Sequence, residues 1–597
     1  MHVVGDNIPK IIIKNILIKD YDFSISAVAK FKYSENYKPK MEIVFSNGIE
    51  DRRLPFIISG YNRDERSNLV SIHLEWNYNL DYLFWNQYYI EDIEISFRLI
   101  YGEKFIENFE VIKEVDFETQ KSFYTPKIEN STLVLKAKKE ELKIKNHAKK
   151  KYAKLEKLNS FFLLFISILA FPFFLIDGFL AHKSLTEKSP DFFRSNVTFK
   201  SILYHINWRT FKLSGHMYSL RVFKIWIMKV LYKLTKYRKI KNNRIVLMSE
   251  RRDDLTGNFE YVYDILKEDN DLEIIQFFRN KPIKNFTIKE MIRYSNLIAT
   301  SKVILLDDFY PIIHNFILKK DTKLIQLWHA VGAFKTFGFS RMGKIGGTPQ
   351  KSPNHRNYNY AIVSSNEIKD FYAEGFGLSN EKILATGIPR TDVLFNEEYK
   401  NLIKEKLYNE FPSIKEKKVI LFCPTFRGMG KNDAFYPMVK FNPEKFVDSL
   451  TNSDEYILII KHHPFVKEKI KISKSYKNKI LDLSEYSEIN DLLFITNILI
   501  TDYSSVIFES SILDIPMLFY SYDLEEYIRD RDFYYDFRAF VPGKIISSFE
   551  ELIEAINNQD FHSYKVSTFK NRFFNDFDGR SSERVVELIN SIIHDNK

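Results

Sequence analysis

A chain of 597 residues is longer than one hydrophobic core can serve, so several domains are expected. Its 45% hydrophobic and 28% charged residues exclude a fibrous or wholly disordered protein. A formal charge of +10 points to anionic partners such as nucleic acid, a membrane or a substrate, and the single cysteine, Cys423, excludes an internal disulfide.

The first twenty residues lack a charged start followed by an apolar run, so no signal peptide is read and an intracellular location is expected. From about residue 10, short β-branched and aromatic runs follow one another between turn residues: Ile11–Ile18, Ser24–Lys32, Lys40–Phe45, Val70–Trp76, Ile90–Ile100 and Thr132–Lys136. They predict a small accessory β-sandwich over 1–135, without a cluster of catalytic residue types.

Residues 136–243 read as a basic helical linker and membrane-associating segment. Lys136–Lys157 holds ten Lys against three Glu, and leads into the uncharged run Phe161–Ile176. Sixteen helical residues span about 24 Å, short of the roughly 30 Å hydrocarbon core, and Pro172 would kink them. Between Asp191 and Glu250 there is no acidic residue, while thirteen Lys or Arg occur. Within that stretch Val222–Tyr237 spaces four lysines among Ile, Leu and Trp226. A core helix with a basic rim is the plainer reading. A basic amphipathic helix beside an apolar wedge favours an anionic membrane surface. No nucleic-acid module accompanies the charge, so nucleic acid is not an expected partner. Peripheral, monotopic attachment at the cytoplasmic face is expected.

From Arg244 the pattern turns to α/β. Strand-like Ile245–Ser249, Glu273–Phe278, Val303–Leu306, Leu324–Trp328 and Tyr360–Ser364 alternate with helical stretches. A second series follows with Val419–Cys423, Tyr456–Lys461, Ile498–Thr501 and Met517–Tyr520. Two doubly wound domains facing a cleft are predicted, over 244–400 and 401–597.

Polar clusters sit where these strands should end, the place at which open parallel sheets bind ligands. They are Trp328-His329 with Gly332 and Lys335, Gly387-Ile-Pro-Arg390-Thr-Asp392, Pro424-Thr425-Phe-Arg427, Lys461-His462-His463-Pro464, Thr501-Asp502-Tyr-Ser504-Ser505, and Glu509. Singly each is weak: a lone histidine after a strand is as often structural, and Ser504-Ser505 suits an ordinary N-cap. Together they describe an anion site with Arg427 and Lys461 as cations, and two histidines suited to proton transfer. Asp307-Asp308 lacks DxD spacing and no His/Cys cluster forms, so no bound metal or other cofactor is expected; Mg²⁺ carried on phosphate is the one ion the chemistry admits.

The ordered set WHAVGAFK, GIPRTD, CPTFR, KHHP and TDYSSVIFE resembles the CDP-glycerol glycerophosphotransferase family, whose members build teichoic acids and related capsule polymers; the resemblance spans about residues 244–590. It implies a GT-B pair of Rossmann domains, with 244–400 on the acceptor side and 401–597 binding the donor. It also implies transfer of glycerol or ribitol phosphate from a CDP-activated donor to the hydroxyl end of a lipid-linked polymer, with release of CMP. The family's histidines fall on His329, the expected base, and His463, with roles open to exchange. Thr501, Asp502, Ser504 and Ser505 would lie near the donor phosphates, Glu509 near ribose or polyol hydroxyls, and Lys335, Arg390, Asp392, Thr425, Arg427 and Lys461 would complete the substrate contacts. WHAVGAFK stands where many glycerol-phosphate members read WHG followed by TPLK, which leans the reading towards ribitol. A nucleotide-sugar glycosyltransferase would share the architecture, and a non-catalytic membrane scaffold would not need both histidines.

Overall fold

The structure is a computed structural model. It describes residues 9–146 except 33–39, 49–50, 65–68, 81–82, 84–90, 102–103, 116, 121 and 144–145, and residues 220–594 except 343–346, 429–433, 469, 487 and 575–577. The apolar run Phe161–Ile176, most of the Lys-rich stretch before it and the first part of the acid-free stretch lie outside the described residues.

Twelve strands occupy the N-terminal part among the described residues: β1 (Lys10–Lys19), β2 (Asp22–Lys32), β3 (Lys40–Ser46), β4 (Asp51–Pro55), β5 (Ile57–Asp64), β6 (Leu69–Asn79), β7 (Ile93–Tyr101), β8 (Lys104–Ile106), β9 (Glu110–Lys113), β10 (Glu118–Gln120), β11 (Tyr124–Glu129) and β12 (Thr132–Ala137). One sheet runs β10-β1-β2-β6-β5 with β9 also on β1, and the other β11-β12-β7-β3-β4 with β8 on β7. Alternation buries one face of each sheet: Ile11, Ile13, Phe23 and Ile72 from the first share a core with Ile43, Phe45, Ile95 and Leu135 from the second. This is the all-β region that the alternating runs predict.

Two parallel sheets follow. The first comprises β13 (Lys241–Ser249), β14 (Glu273–Phe278), β15 (Ser301–Leu306), β16 (Lys323–Gln326), β17 (Tyr360–Ile362) and β18 (Ile383–Leu384), in the order β14-β13-β15-β16-β17-β18. The second comprises β19 (Lys418–Phe422), β20 (Tyr456–Ile460), β21 (Ile480–Asp482), β22 (Thr496–Thr501), β23 (Met517–Tyr520) and β24 (Lys544–Ile546), in the order β21-β20-β19-β22-β23-β24. Strands such as Ser301–Leu306 are buried along their whole length, because helices cover both faces of a parallel sheet.

Helix α1 (Leu220–Thr235) answers part of the question its sequence raised. Met228 and Tyr232 are buried in the core of the first parallel unit, and the Ser295 hydroxyl donates to the Met228 carbonyl. One face is therefore a core face. The other leaves Phe223, Val230 and Leu234 exposed, with Tyr237 just beyond the helix. Among the described residues no helix is long and apolar enough to cross a membrane.

The β region is tied by charge to both parallel units. Asp370, on helix α2 (Lys369–Phe376), receives Arg53 at 2.5 Å and Arg98 at 3.0 Å, and Lys40 meets Asp532 at 2.9 Å. The two Asp370 contacts hold the helix that carries Tyr372 to the wall of the cavity described next.

Candidate active site

A cavity of about 450 Å³ opens where the carboxyl ends of the two parallel sheets meet. Nine of the residues singled out in the sequence line it: His329, Lys335 and Arg390 from the first unit, and Thr425, Lys461, His463, Ser504, Ser505 and Glu509 from the second. The halves approach closely at Gly332, whose φ is +74° and whose missing Cβ would lie 2.2 Å from the ring of Phe508. Only glycine combines that backbone with that contact.

His329 follows β16 and is 42% exposed into this space. Its Nδ1 lies 3.0 Å from Oδ1 of Asp308, and Arg251 Nε lies 2.6 Å from Oδ2 of the same carboxylate. Burial pushes the Asp308 carboxyl up, but His329 and Arg251 outweigh it and hold it below the ordinary carboxylate range. With Nδ1–H donated to that carboxylate, Nε2 is left to accept a proton. Sequence reading missed both Asp308 and Arg251. They lie two residues beyond the ends of β15 and β13, and the strand order β13-β15-β16 is what sets them beside His329.

His463 follows β20 on the opposite wall, packed between Phe426 and Phe465. Burial, with Lys335, Arg251 and Lys461 near, pushes its imidazolium down to about 4, so the ring is neutral at physiological pH. Its Nδ1 accepts from the Phe465 N–H at 3.1 Å, leaving Nε2–H as the donor of the neutral ring. The buried Lys461 donates to the Ser484 carbonyl at 2.9 Å. Lys335 rests against Tyr527, 3.4 Å from its hydroxyl, and burial pushes its ammonium down to about 8 against the pull of Asp502.

Arg390 and Glu509 pair across the two halves, and burial pushes the Glu509 carboxyl up against the pull of Arg390. Among the described residues Glu509 Oε2, Arg390 Nε and the Thr425 hydroxyl are buried without a hydrogen-bond partner. Buried polar atoms are rarely left unmatched, so this wall suits a polar ligand. Ser504 and Ser505 precede helix α3 (Val506–Ile512), which has only seven residues. The Ser504 hydroxyl accepts from the Val506 N–H at 3.3 Å, while Ser505, the N-cap residue, makes no side-chain capping bond.

Four expected contacts do not reach the cavity wall. Arg427 is a buried tie: Nε and Nη2 bond Asp523 at 2.6 and 2.9 Å, and Nη1 bonds Asp502 at 2.9 Å and the Thr425 carbonyl at 2.7 Å. The guanidinium expected as a phosphate cation is thus held by two carboxylates and is absent from the cavity lining. Asp502 itself accepts from the Thr425 N–H at 2.7 Å, and the Thr501 hydroxyl donates to the Cys423 carbonyl at 2.7 Å. Both shape the loop that carries Thr425 rather than face the cavity. Asp392 receives the Ser581 and Ser582 N–H groups at 2.9 and 2.7 Å and so caps helix α4 (Ser581–His594). Among the described residues no three His, Cys, Asp or Glu side chains gather as a metal-binding group.

Known proteins match this part of the chain. Over 359 residues it is 46% identical to a teichoic acid poly(ribitol-phosphate) polymerase of Bacillus spizizenii, covering 60% of this chain and 58% of that one. It is 44% identical over 377 residues to the Staphylococcus aureus teichoic acid ribitol-phosphate polymerase TarK, covering 62% of this chain and 73% of TarK. A Bacillus subtilis teichoic acid glycerol-phosphate primase is 32% identical over 346 residues, covering 56% of this chain and 87% of the primase. The match thus spans less than two thirds of the first of these relatives. The solved structure of the wall teichoic acid polymerase TagF has a similar fold, with a TM-score of 0.53 and 23% identity over 67% of this chain and 99% of TagF. Residues 230–591 match the family model of the CDP-glycerol:poly(glycerophosphate) glycerophosphotransferases, and the chain belongs to that family.

Proposed function

We propose that the protein transfers a polyol phosphate, ribitol phosphate in first place, from a CDP-activated donor to the hydroxyl end of a lipid-linked teichoic acid polymer, releasing CMP. The observation that carries the reading is one cavity with His329 backed by Asp308 on one wall, neutral His463 on the other, and Arg251, Lys335, Arg390 and Lys461 around them. Two parallel units meeting at such a cavity support reading them as a GT-B pair. Ribitol is favoured because relatives named as ribitol-phosphate polymerases are 43–46% identical, against 32% for the glycerol-phosphate primase.

In this reading the acceptor oxygen attacks the donor's β-phosphorus. The new O–P bond forms as the bond to the CMP oxygen breaks, and the hydroxyl proton passes to His329 Nε2. Transfer of this kind draws its rate from positioning and from charge stabilisation around the phosphoryl oxygens. His463 Nε2–H and the ammonium of Lys335 supply donors for that charge. The Ser504, Ser505 and Thr425 hydroxyls supply neutral ones, and Glu509 Oε2 is an acceptor for a ribose or polyol hydroxyl. No protein-bound metal takes part in this scheme; Mg²⁺ would arrive on the donor's phosphates.

Lys335 gives the site a pH signature. Its ammonium is charged below about 8 and neutral above, so donor affinity should be flat up to pH 7 and fall by as much as tenfold per unit above pH 8. Lys335→Met should bind the donor more weakly and lose that slope. A wild-type affinity level to pH 9.5 would remove Lys335 from the donor site.

The exposed Phe223, Val230, Leu234 and Tyr237 on and just beyond a lysine-bearing helix support peripheral attachment to the cytoplasmic face of an anionic membrane, with the β region and the site on the same side. Binding to anionic vesicles should weaken with salt, because exposed charges are screened within about 8–10 Å at physiological ionic strength, and keep a salt-resistant apolar remainder. Protection of residues 1–135 from protease in sealed inside-out vesicles would sink this topology. The test of the function is release of CMP from CDP-ribitol and CDP-glycerol, and of UDP from UDP-sugars, by the purified chain supplied with a lipid-linked acceptor. Turnover of a UDP-sugar alone would assign it to glycosyl transfer instead.

A further inference from the structure

The peptide that presents His329 is held in an unfavourable shape. Trp328 has φ 59°, the left-handed region that a bulky side chain avoids, so the surrounding structure must hold it there. The holding bonds converge on it from two sides. Asn258 Nδ2 donates to the Trp328 carbonyl at 2.6 Å, and the Trp328 N–H donates to Oε1 of Gln326 at 2.8 Å.

Gln326, the last residue of β16, is fully buried and uses its whole amide. Besides accepting from Trp328, it donates through Nε2 to the Asp308 carbonyl at 2.9 Å and to the Tyr358 hydroxyl at 3.0 Å. Tyr358 is anchored in turn, 3.1 Å from His355 Nδ1 and 3.5 Å from His314 Nε2. Burial pushes both imidazoles down, so the cluster behind Gln326 is neutral and rigid rather than a second proton site. One side chain therefore grips the backbone of Asp308 and the amide next to His329 together.

We propose that Gln326 is a positioning residue for polyol-phosphate transfer, setting the distance and angle between the Asp308 carboxylate and the His329 ring. The inference rests on His329 acting as the base in the function proposed above. A residue with this role acts on turnover rather than on donor binding, because its effect passes through the ring that receives the proton. A small misplacement of a catalytic group far from the substitution costs as much as 100-fold in rate.

The test uses Gln326→Met, which keeps length and apolar packing and removes all three bonds. In the full chain its turnover of CDP-ribitol should fall between about ten- and a hundredfold with unchanged donor affinity. In an Asp308→Asn background the same change should cost less than about threefold, because the coupling is already cut. Hydrogen exchange at the Trp328 amide should speed up in Gln326→Met. Turnover within about threefold of wild type, or an equal loss in both backgrounds, would overturn the proposal. Should Gln326→Met fail to fold, Gln326→Glu, which keeps the acceptor for the Trp328 N–H and loses the two Nε2 bonds, enters the same cycle read by turnover alone. The exchange measurement separates the two failures. Wild-type protein inactive on every CDP-polyol defeats the functional reading, whereas unchanged exchange at Trp328 defeats the Gln326 clamp.

Discussion

His329→Ala should lower CMP release at least ~100-fold while leaving donor affinity within about threefold of wild type. The imidazole is the one group in the cavity whose Nδ1 is committed to a buried carboxylate, with Nε2 left to take a proton. Losing it removes the base without touching Lys335 or the second-unit groups that hold the donor. Asp308→Asn keeps the ring but replaces a charge-assisted bond of ~1.5–3 kcal/mol, so a smaller loss of roughly 10–100-fold is expected. His463 is neutral and donates, so His463→Ala should act on phosphate charge and weaken donor binding as well as turnover. Full activity of His329→Ala with intact folding would remove this histidine from the mechanism. A loss confined to donor affinity would exchange the roles of the two.

The second large effect concerns stability rather than chemistry. Arg427→Met should destabilise the protein by about 3–5 kcal/mol, the usual cost of removing one partner from a buried ion cluster. The guanidinium, 11% exposed, is the cation between Asp502 and Asp523, and its loss leaves both carboxylates without it in a partly dry setting. Tyr436, Tyr503, Tyr522 and Tyr527 surround the same group, which deepens the loss of packing. Urea unfolding followed by tryptophan fluorescence should show the lowered midpoint. Donor affinity measured well below that midpoint should remain close to wild type. An unchanged midpoint with donor affinity reduced tenfold or more would return Arg427 to the role of direct phosphate ligand.

Much of the fold was legible because strands announce themselves. Glu273–Phe278 and Met517–Tyr520 appear as strands with the bounds their apolar runs indicate. Short strands such as Ile383–Leu384 and Ile480–Asp482 were not legible, since two or three residues carry no periodicity and exist only by pairing with a longer neighbour.

The division at the site has a plain physical reason. The sequence by itself determined that two α/β units each end a strand in a histidine, His329 after β16 and His463 after β20, with cations and hydroxyls close by in the chain. Residue type and local spacing suffice for that, because ligand sites gather at the carboxyl ends of parallel strands. Only the tertiary structure decided which of those groups face the cavity. Arg427, Asp502 and Ser504 all stand in polar clusters just after strands, but packing turns the first two inward on each other and leaves the third on the wall. Nor could spacing reveal Asp308, Arg251 or Gln326, which come from different strands and meet at His329 through the order in which β13, β15 and β16 pair. Strand order and side-chain direction are set by the burial of the whole core, a sum over distant residues that no local run of sequence contains.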